Sequence, residues 1–305
     1  MVLDGGKDEA TVRARTRELL GERKADVLFG YVGEEAVSAA VREPELKDGS
    51  VALVAPLAGR ETPDVPPHNV FYARPGYEAE VRQMIDHFRA LQITRFVVVR
   101  SGRESDAWVE QLVAKILAEY DLPAPGVRVL SNGQGGDQGD VKAVQELHGQ
   151  AVVVAADTVP AAEFIKRYLP RDPGTMMVGL SLMNHRVMFE LLGPQLAHGV
   201  MIMQVVPNPA VVETPAIREH QLAMRTYRDE PPSHLTLEGF LAAKALVEEI
   251  RRAGNTPGRE AIAVSLRRNG RVDVGGIVVD FTPSGRLRSP YVDIAMIRRD
   301  GSLLQ

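Results

Sequence analysis

"LFGYVGEEAV", residues 28–37, reads as a strand that stops at Gly30 and a helix that starts near Gly33. Glu34 and Glu35 fall in the first turn of that helix, where main-chain N–H groups lack intrahelical partners and attract anions. Two readings follow. In one, the glutamates face solvent and complement the helix end themselves. In the other, Glu34 turns into a cleft and receives a cationic or hydroxyl-bearing ligand.

The same strand-then-helix unit recurs along the chain. Strand candidates are DVLFGY (26–31), SVALVAP (50–56), NVFYA (69–73), RFVVVR (95–100), GVRVL (126–130), AVVVAA (151–156), TMMVGL (175–180) and GVMIMQVV (199–206). Their valine-rich, non-alternating character suits strands of a parallel sheet covered on both faces. Between them, Val81, Met84, Ile85, Phe88 and Leu91 fall at helical spacing, as do Val109, Leu112, Val113, Ile116 and Leu117. A longer helix is predicted near 235–253, with Thr236 as its N-cap and Gly239 where a capping box would place glutamate. Strand–helix alternation with short loops predicts an α/β fold with right-handed crossovers. Residues 271–305 predict two strands around a turn at Pro283 to Gly285. Prolines in YARPGY (72–77) and VVPNPAVVETP (205–215) mark places where the chain could pass between lobes.

A chain of 305 residues is long enough for one large or two medium domains. Net charge is −4 with scattered basic residues, and the few aromatics are dispersed, so no nucleic-acid surface is expected. There is no cysteine, which excludes thiolate metal sites, cysteine nucleophiles and disulfides. No apolar run is long enough to span a membrane, and the polar start, MVLDGGKDEATVRART, lacks the apolar core of a secretion signal.

The glycine-rich SNGQGGDQGD (131–140) fails as a dinucleotide fingerprint, because Gln138 stands where the third glycine is needed, and it lacks the Gly-Lys-Ser/Thr ending of a P-loop. It reads instead as a surface loop with an aspartate cap at Asp137 or Asp140. None of the seven histidines pairs with another at i+3 or i+4, and G-x-S-x-G is absent, so neither a metal site nor a serine hydrolase is expected. No cofactor and no catalysis are expected.

The informative positions are strand ends, because open α/β sheets take ligands beyond the carboxyl ends of their strands. Those ends are GYVGEE (30–35), PLAGRE (56–61), RSGRESD (100–106), AADTVP (155–160) and LSLMN (180–184). They nominate Tyr31, Gly33, Glu34, Glu35, Ala58, Gly59, Arg60, Ser101, Arg103, Asp106, Asp157, Thr158, Ser181 and Asn184 as ligand contacts. Each could equally be a helix cap or a surface residue.

Read in order, DVLFGYVG, VALVAPLAG, NVFYARPGY, ITRFVVVR, AVVVAADTVPAAEFIK, MMVGLSL, LLGPQLAHGVMIMQVVPNP, LTLEGFLAAKALVEEI and VDFTPSGRLRSPYVDIAMIRRDG resemble the type I periplasmic binding proteins of the branched-chain amino acid transport group. The resemblance implies a two-lobed, Venus-flytrap α/β fold, each lobe a mostly parallel sheet flanked by helices. It assigns 1–74 plus 207–271 to one lobe and 75–206 plus 272–305 to the other. It implies a non-catalytic solute-binding protein in the periplasm that delivers a small polar ligand, such as an amino acid, to an ABC permease by hinge closure.

The departures are specific. The family's usual first strand and helix have no counterpart, so MVLDGGKDEATVRAR would be the end of its second strand and the helix after it. Where amino-acid binders of the group carry hydroxyls for the ligand carboxylate, this chain has Glu34 and Gly59; where an acid holds the ligand ammonium, the nearest match is Ser181. An amino-acid zwitterion would meet repulsion at Glu34. The alternative reading is a sensory or scaffold module of the same fold that binds a partner protein, with a homodimer left open.

Overall fold

The computed structural model describes residues 1–6, 8–60, 69–282 and 291–305. The chain forms two compact units, Met1–Gly76 with Pro209–Pro290, and Tyr77–Asn208 with Tyr291–Gln305. The passages at Gly76–Tyr77 and Asn208–Pro209 lie within the two proline-bearing stretches. Residues 272–282, expected with the second lobe, pair and pack with the first unit instead.

The first unit opens with α1 (Glu9–Arg17), capped by Asp8, and a π-helical turn at Glu18–Glu22. Then come β1 (Val27–Phe29), α2 (Glu34–Ala40), α3 (Pro44–Lys47), β2 (Ala52–Val54) and β3 (Val70–Phe71). The strands form a parallel sheet in the order β1-β2-β3, over a core that includes Leu20, Leu28, Val37, Leu46 and Leu53. The turn predicted at Pro283 to Gly285 lies outside the described residues, as does Glu61.

The second unit runs α4 (Tyr77–Ala90), β4 (Phe96–Arg100), α5 (Glu104–Glu119), β5 (Gly126–Val129), α6 (Gln138–Glu146), β6 (Ala151–Ala155), α7 (Thr158–Tyr168), β7 (Met176–Gly179), α8 (His185–Ala197) and β8 (Met201–Gln204). The chain then returns to the first unit for α9 (Pro215–Tyr227), α10 (His234–Ala253), α11 (Arg259–Asn269) and the hairpin of β9 (Arg271–Asp273) with β10 (Val278–Asp280). The hairpin is tied to that unit by the Ala216 N–H on the Gly275 carbonyl at 3.1 Å and the Phe281 N–H on that of Gly270 at 2.7 Å. β11 (Asp293–Ile297) and β12 (Leu303–Leu304) finish in the second unit.

All eight strand candidates are strands, each somewhat shorter than its apolar run. The second sheet is ordered β12-β11-β8-β7-β6-β4-β5, parallel from β8 to β5, with β11 antiparallel to both of its neighbours. Its central strands explain the unbroken valine runs. Val97, Val99, Val152 and Val154 pack with Phe164 and Ile165 on one face, whereas Val98 and Val153 pack with Ile85, Val113 and Ile116 on the other. Each buried valine contributes on the order of 2 kcal/mol. GVRV departs from this pattern: β5 is the edge strand, and Val127 and Val129 are exposed. The N-cap of α10 is Ser233, not Thr236. Ser233 is extended, its Oγ accepts the Thr236 N–H, and Thr236 Oγ1 accepts the Ser233 N–H, so a hydroxyl replaces the expected glutamate of the capping box.

The glycine-rich loop is held by carboxylates. Asp137 caps α6, accepting the N–H groups of Gly139 and Asp140, while the fully buried Asp140 accepts those of Ser131 and Asp137 and pairs with Arg128. Gly135 has φ +89°, and a Cβ there would lie 2.5 Å from the Pro160 carbonyl oxygen, so the loop admits no side chain at that point. Burial pushes the Asp140 carboxyl up, but hydrogen bonds from Ser131, Asp137 and Arg128 outweigh it and hold it at about 2. The folded value lies below the unfolded one, so this stabilisation is complete above about pH 4 and is lost as pH falls toward 2. Asp140→Asn should therefore cost on the order of 2 kcal/mol at pH 7 and flatten the acid limb of stability between pH 4 and 2, read by urea midpoints.

Candidate functional site

The nominated residues fall into two groups, one at the strand ends of each unit. In the first unit, β1 and β2 stay zipped together past their regular pairing. The Leu57 N–H donates to the Tyr31 carbonyl at 2.8 Å, the Gly33 N–H donates to that of Leu57 at 2.9 Å, and Val32 bridges Leu57. Gly33, with φ 91°, then turns the chain into α2. This places Glu34 beside the end of β2, where one carboxylate oxygen, Oε1, accepts the N–H groups of Gly59 at 2.9 Å and Arg60 at 3.3 Å.

The two glutamates of the helix start therefore differ in their surroundings. Glu35 is exposed, whereas Glu34 is half-buried and turned onto the neighbouring loop. Two nominated residues leave the group. Tyr31 directs its hydroxyl to Thr16 Oγ1 at 2.8 Å, and Ala58 is fully buried in the core cluster. Burial raises the Tyr31 phenol above its ordinary value.

In the second unit, Ser101, Arg103, Asp106 and Asp157 are joined at the ends of β4 and β6. Ser101 Oγ donates to Asp106 and accepts the Arg103 N–H at 3.2 Å. The Arg103 guanidinium reaches Asp106 Oδ1 at 3.1 Å and Asp157 Oδ2 at 2.9 Å, clamping both acids. Burial pulls Arg103 down, but the two aspartates more than compensate and hold it above its ordinary value. Thr158 Oγ1 accepts the Asn184 N–H at 3.0 Å, and Asn184 in turn caps α8. The Ser181 N–H and Oγ donate to the two carboxylate oxygens of Glu80 at 2.9 and 2.6 Å.

Glu80 is the residue that sequence reasoning missed. It lies in α4, 101 positions from Ser181, and is fully buried. A glutamate in a helix's first turn reads as a solvent-facing charge, and nothing local signals otherwise. His185, the first residue of α8, is a second omission: it is buried, and burial, helped by Arg186, brings its imidazole down to about 4. Along the β1 side of the first unit, Met1–Gly6 and residues 23–32 line a cavity of about 830 Å³; of the nominated residues only Tyr31 reaches it. Among the described residues, no group of three or more histidines and acids is placed to hold a metal ion, and no helix is long and apolar enough to cross a membrane.

Because the folded His185 resists protonation, stability is complete above about pH 6.5 and is lost as pH falls toward 4, by about 3 kcal/mol in all. Urea midpoints of the protein should fall across that window, and His185→Gln should shrink this step, which the buried His220 shares, while leaving the Asp140 limb below pH 4.

Among solved structures, the chain is similar to a substrate-binding periplasmic protein from Ralstonia solanacearum, at 27% identity and a TM-score of 0.87, over 99% of this chain and 86% of that one. It also matches an extracellular ligand-binding receptor from Verminephrobacter eiseniae at 21% identity and TM-score 0.85, over 99% and 86% of the two chains. A branched-chain amino acid ABC transporter protein from Thermus thermophilus with bound valine matches at 17% identity and TM-score 0.81, over 100% and 83%. No curated protein matches. The fold is that of the type I periplasmic binding proteins, and by a family match spanning residues 1–302 the chain belongs to the periplasmic binding protein family.

Proposed function

We propose that this protein is a non-catalytic solute-binding protein of an ABC-type transport system, working in the periplasm and taking a small polar molecule such as an amino acid or a derivative. The observation that carries the reading is the family match over nearly the whole chain. The strand ends of each unit, rich in oriented N–H, hydroxyl and charged groups, support it. Binding would draw on strand-end loops of this kind, and a more compact ligand-bound state would be populated to the extent that the ligand prefers it.

Calorimetry against amino acids, amino-acid amides and small carboxylates, with small-angle scattering of the same samples, tests this. One class should give saturable heat together with compaction. Arg103→Ala, which frees Asp106 and Asp157 from their shared cation, should weaken that binding on the order of tenfold. Silence across the panel, with no compaction, overturns the proposal.

One observation favours a second reading, a sensory or scaffold module that binds a partner protein. β1 ends the described three-stranded sheet, and Phe29 and Val32 beside it are 40% and 69% exposed. A concentration-dependent dimer in light scattering, lost in Val32→Lys, would support that reading; a monomer at all concentrations argues against self-association.

A further inference from the structure

Two consecutive main-chain N–H groups that converge on one oxygen form a small anion-binding concavity. Gly59 and Arg60 present such a pair at the end of β2, the position at which α/β sheets receive ligands. The anion is already there. It is the Glu34 carboxylate, delivered from 25 residues away. Its approach is set by the backbone, since the Gly33 N–H is bonded to Leu57 and Val32 bridges the same residue. The second oxygen, Oε2, accepts no hydrogen bond among the described residues, and the side chain is only half-buried. The loop thus offers an incoming molecule a negative acceptor where its bare amides would have offered donors.

We propose that Glu34 is a specificity-determining residue that occupies the Gly59–Arg60 amides as a built-in carboxylate. The ligand at this point is then a cationic or neutral donor, an amine or amide, and a free carboxylate is excluded. The proposal rests on the solute-binding reading and narrows its ligand class. Exclusion has two parts: a ligand carboxylate would find its amide donors taken, and it would lie against a like charge.

Two measurements test it separately. The first needs no natural ligand: amide resonances of Gly59 and Arg60 are followed by NMR while sodium acetate is added, with sodium chloride as the ionic-strength control. In Glu34→Ala acetate should shift both resonances saturably, and in the unmodified protein it should shift neither. Acetate moving them in the unmodified protein, or failing to move them in a folded Glu34→Ala, overturns the proposal.

The second is calorimetry with L-leucinamide and L-leucine on the unmodified protein and on Glu34→Gln. This variant keeps the side-chain shape and one acceptor, and serves if the alanine variant does not fold. The unmodified protein should favour the amide on the order of tenfold or more, and Glu34→Gln should shrink that preference. Equal binding of both molecules by the unmodified protein overturns the proposal. If acetate behaves as expected but neither these two molecules nor anything else in the panel of amino acids, amides and carboxylates binds, the built-in carboxylate stands and the solute-binding reading falls.

Discussion

A parallel sheet leaves main-chain N–H groups unpaired where each strand turns into its helix, and each buried one must find an acceptor. At four strand ends of this protein the work is done by its own carboxylates. Glu34 serves the end of β2, Asp140 the end of β5, and Glu80 the loop after β7. Asp106 completes the set through Ser101, whose hydroxyl it receives and whose oxygen then takes the Arg103 N–H. Charge-assisted bonds of this kind are about twice as strong as neutral ones, so the loops that bear the candidate site are held in place before any ligand arrives.

Pre-organised loops lower the ordering cost of binding but also restrict what can bind. A loop amide bonded to an internal carboxylate is no longer a donor for a ligand, and the local field changes sign from positive to negative. The glycine-rich loop shows the same logic in a place where no ligand is invoked. Gly135 and Gly136 have the positive φ angles that phosphate-binding loops use, yet Asn132, Asp137 and Asp140 consume the surrounding amides. The second unit also clamps its aspartates with Arg103, so that one guanidinium offsets part of the charge of two carboxylates at the ends of β4 and β6.

The acids differ in how far they travel. Asp106 bonds no further along the chain than Ser101, five positions away, and Asp140 no further than Arg128, twelve away, whereas Glu34 reaches across 25 and Glu80 across 101. The short-range ones tie a loop to its own helix. The long-range ones tie one strand end to another element, so their loss would disturb the relation between elements as well as a local turn.

Sequence alone determined the elements. Short, β-branched runs such as 96–100 and 151–155 suit a strand covered on both faces, and the 3.6-residue spacing of Val81, Met84, Ile85 and Phe88 suits an amphipathic helix, so the α/β order was legible. An aspartate cap of the glycine-rich loop was legible too, because a cap acts over three residues. Cap choice at Ser233 over Thr236 was not, since both hydroxyls satisfy the local pattern and only the backbone angle at Ser233 separates them. Nor was the placement of 272–282, which depends on contacts with α9 and the end of α11, or the direction of Tyr31 toward Thr16. Above all, tertiary structure decided the fate of the charges. A glutamate in a helix's first turn has the same local propensity whether it is exposed, as Glu35 is, or reaches a distant amide from a half-buried or buried position, as Glu34 and Glu80 do. The difference lies in which strand end the fold brings within about 3 Å, a distance that no spacing along the chain encodes.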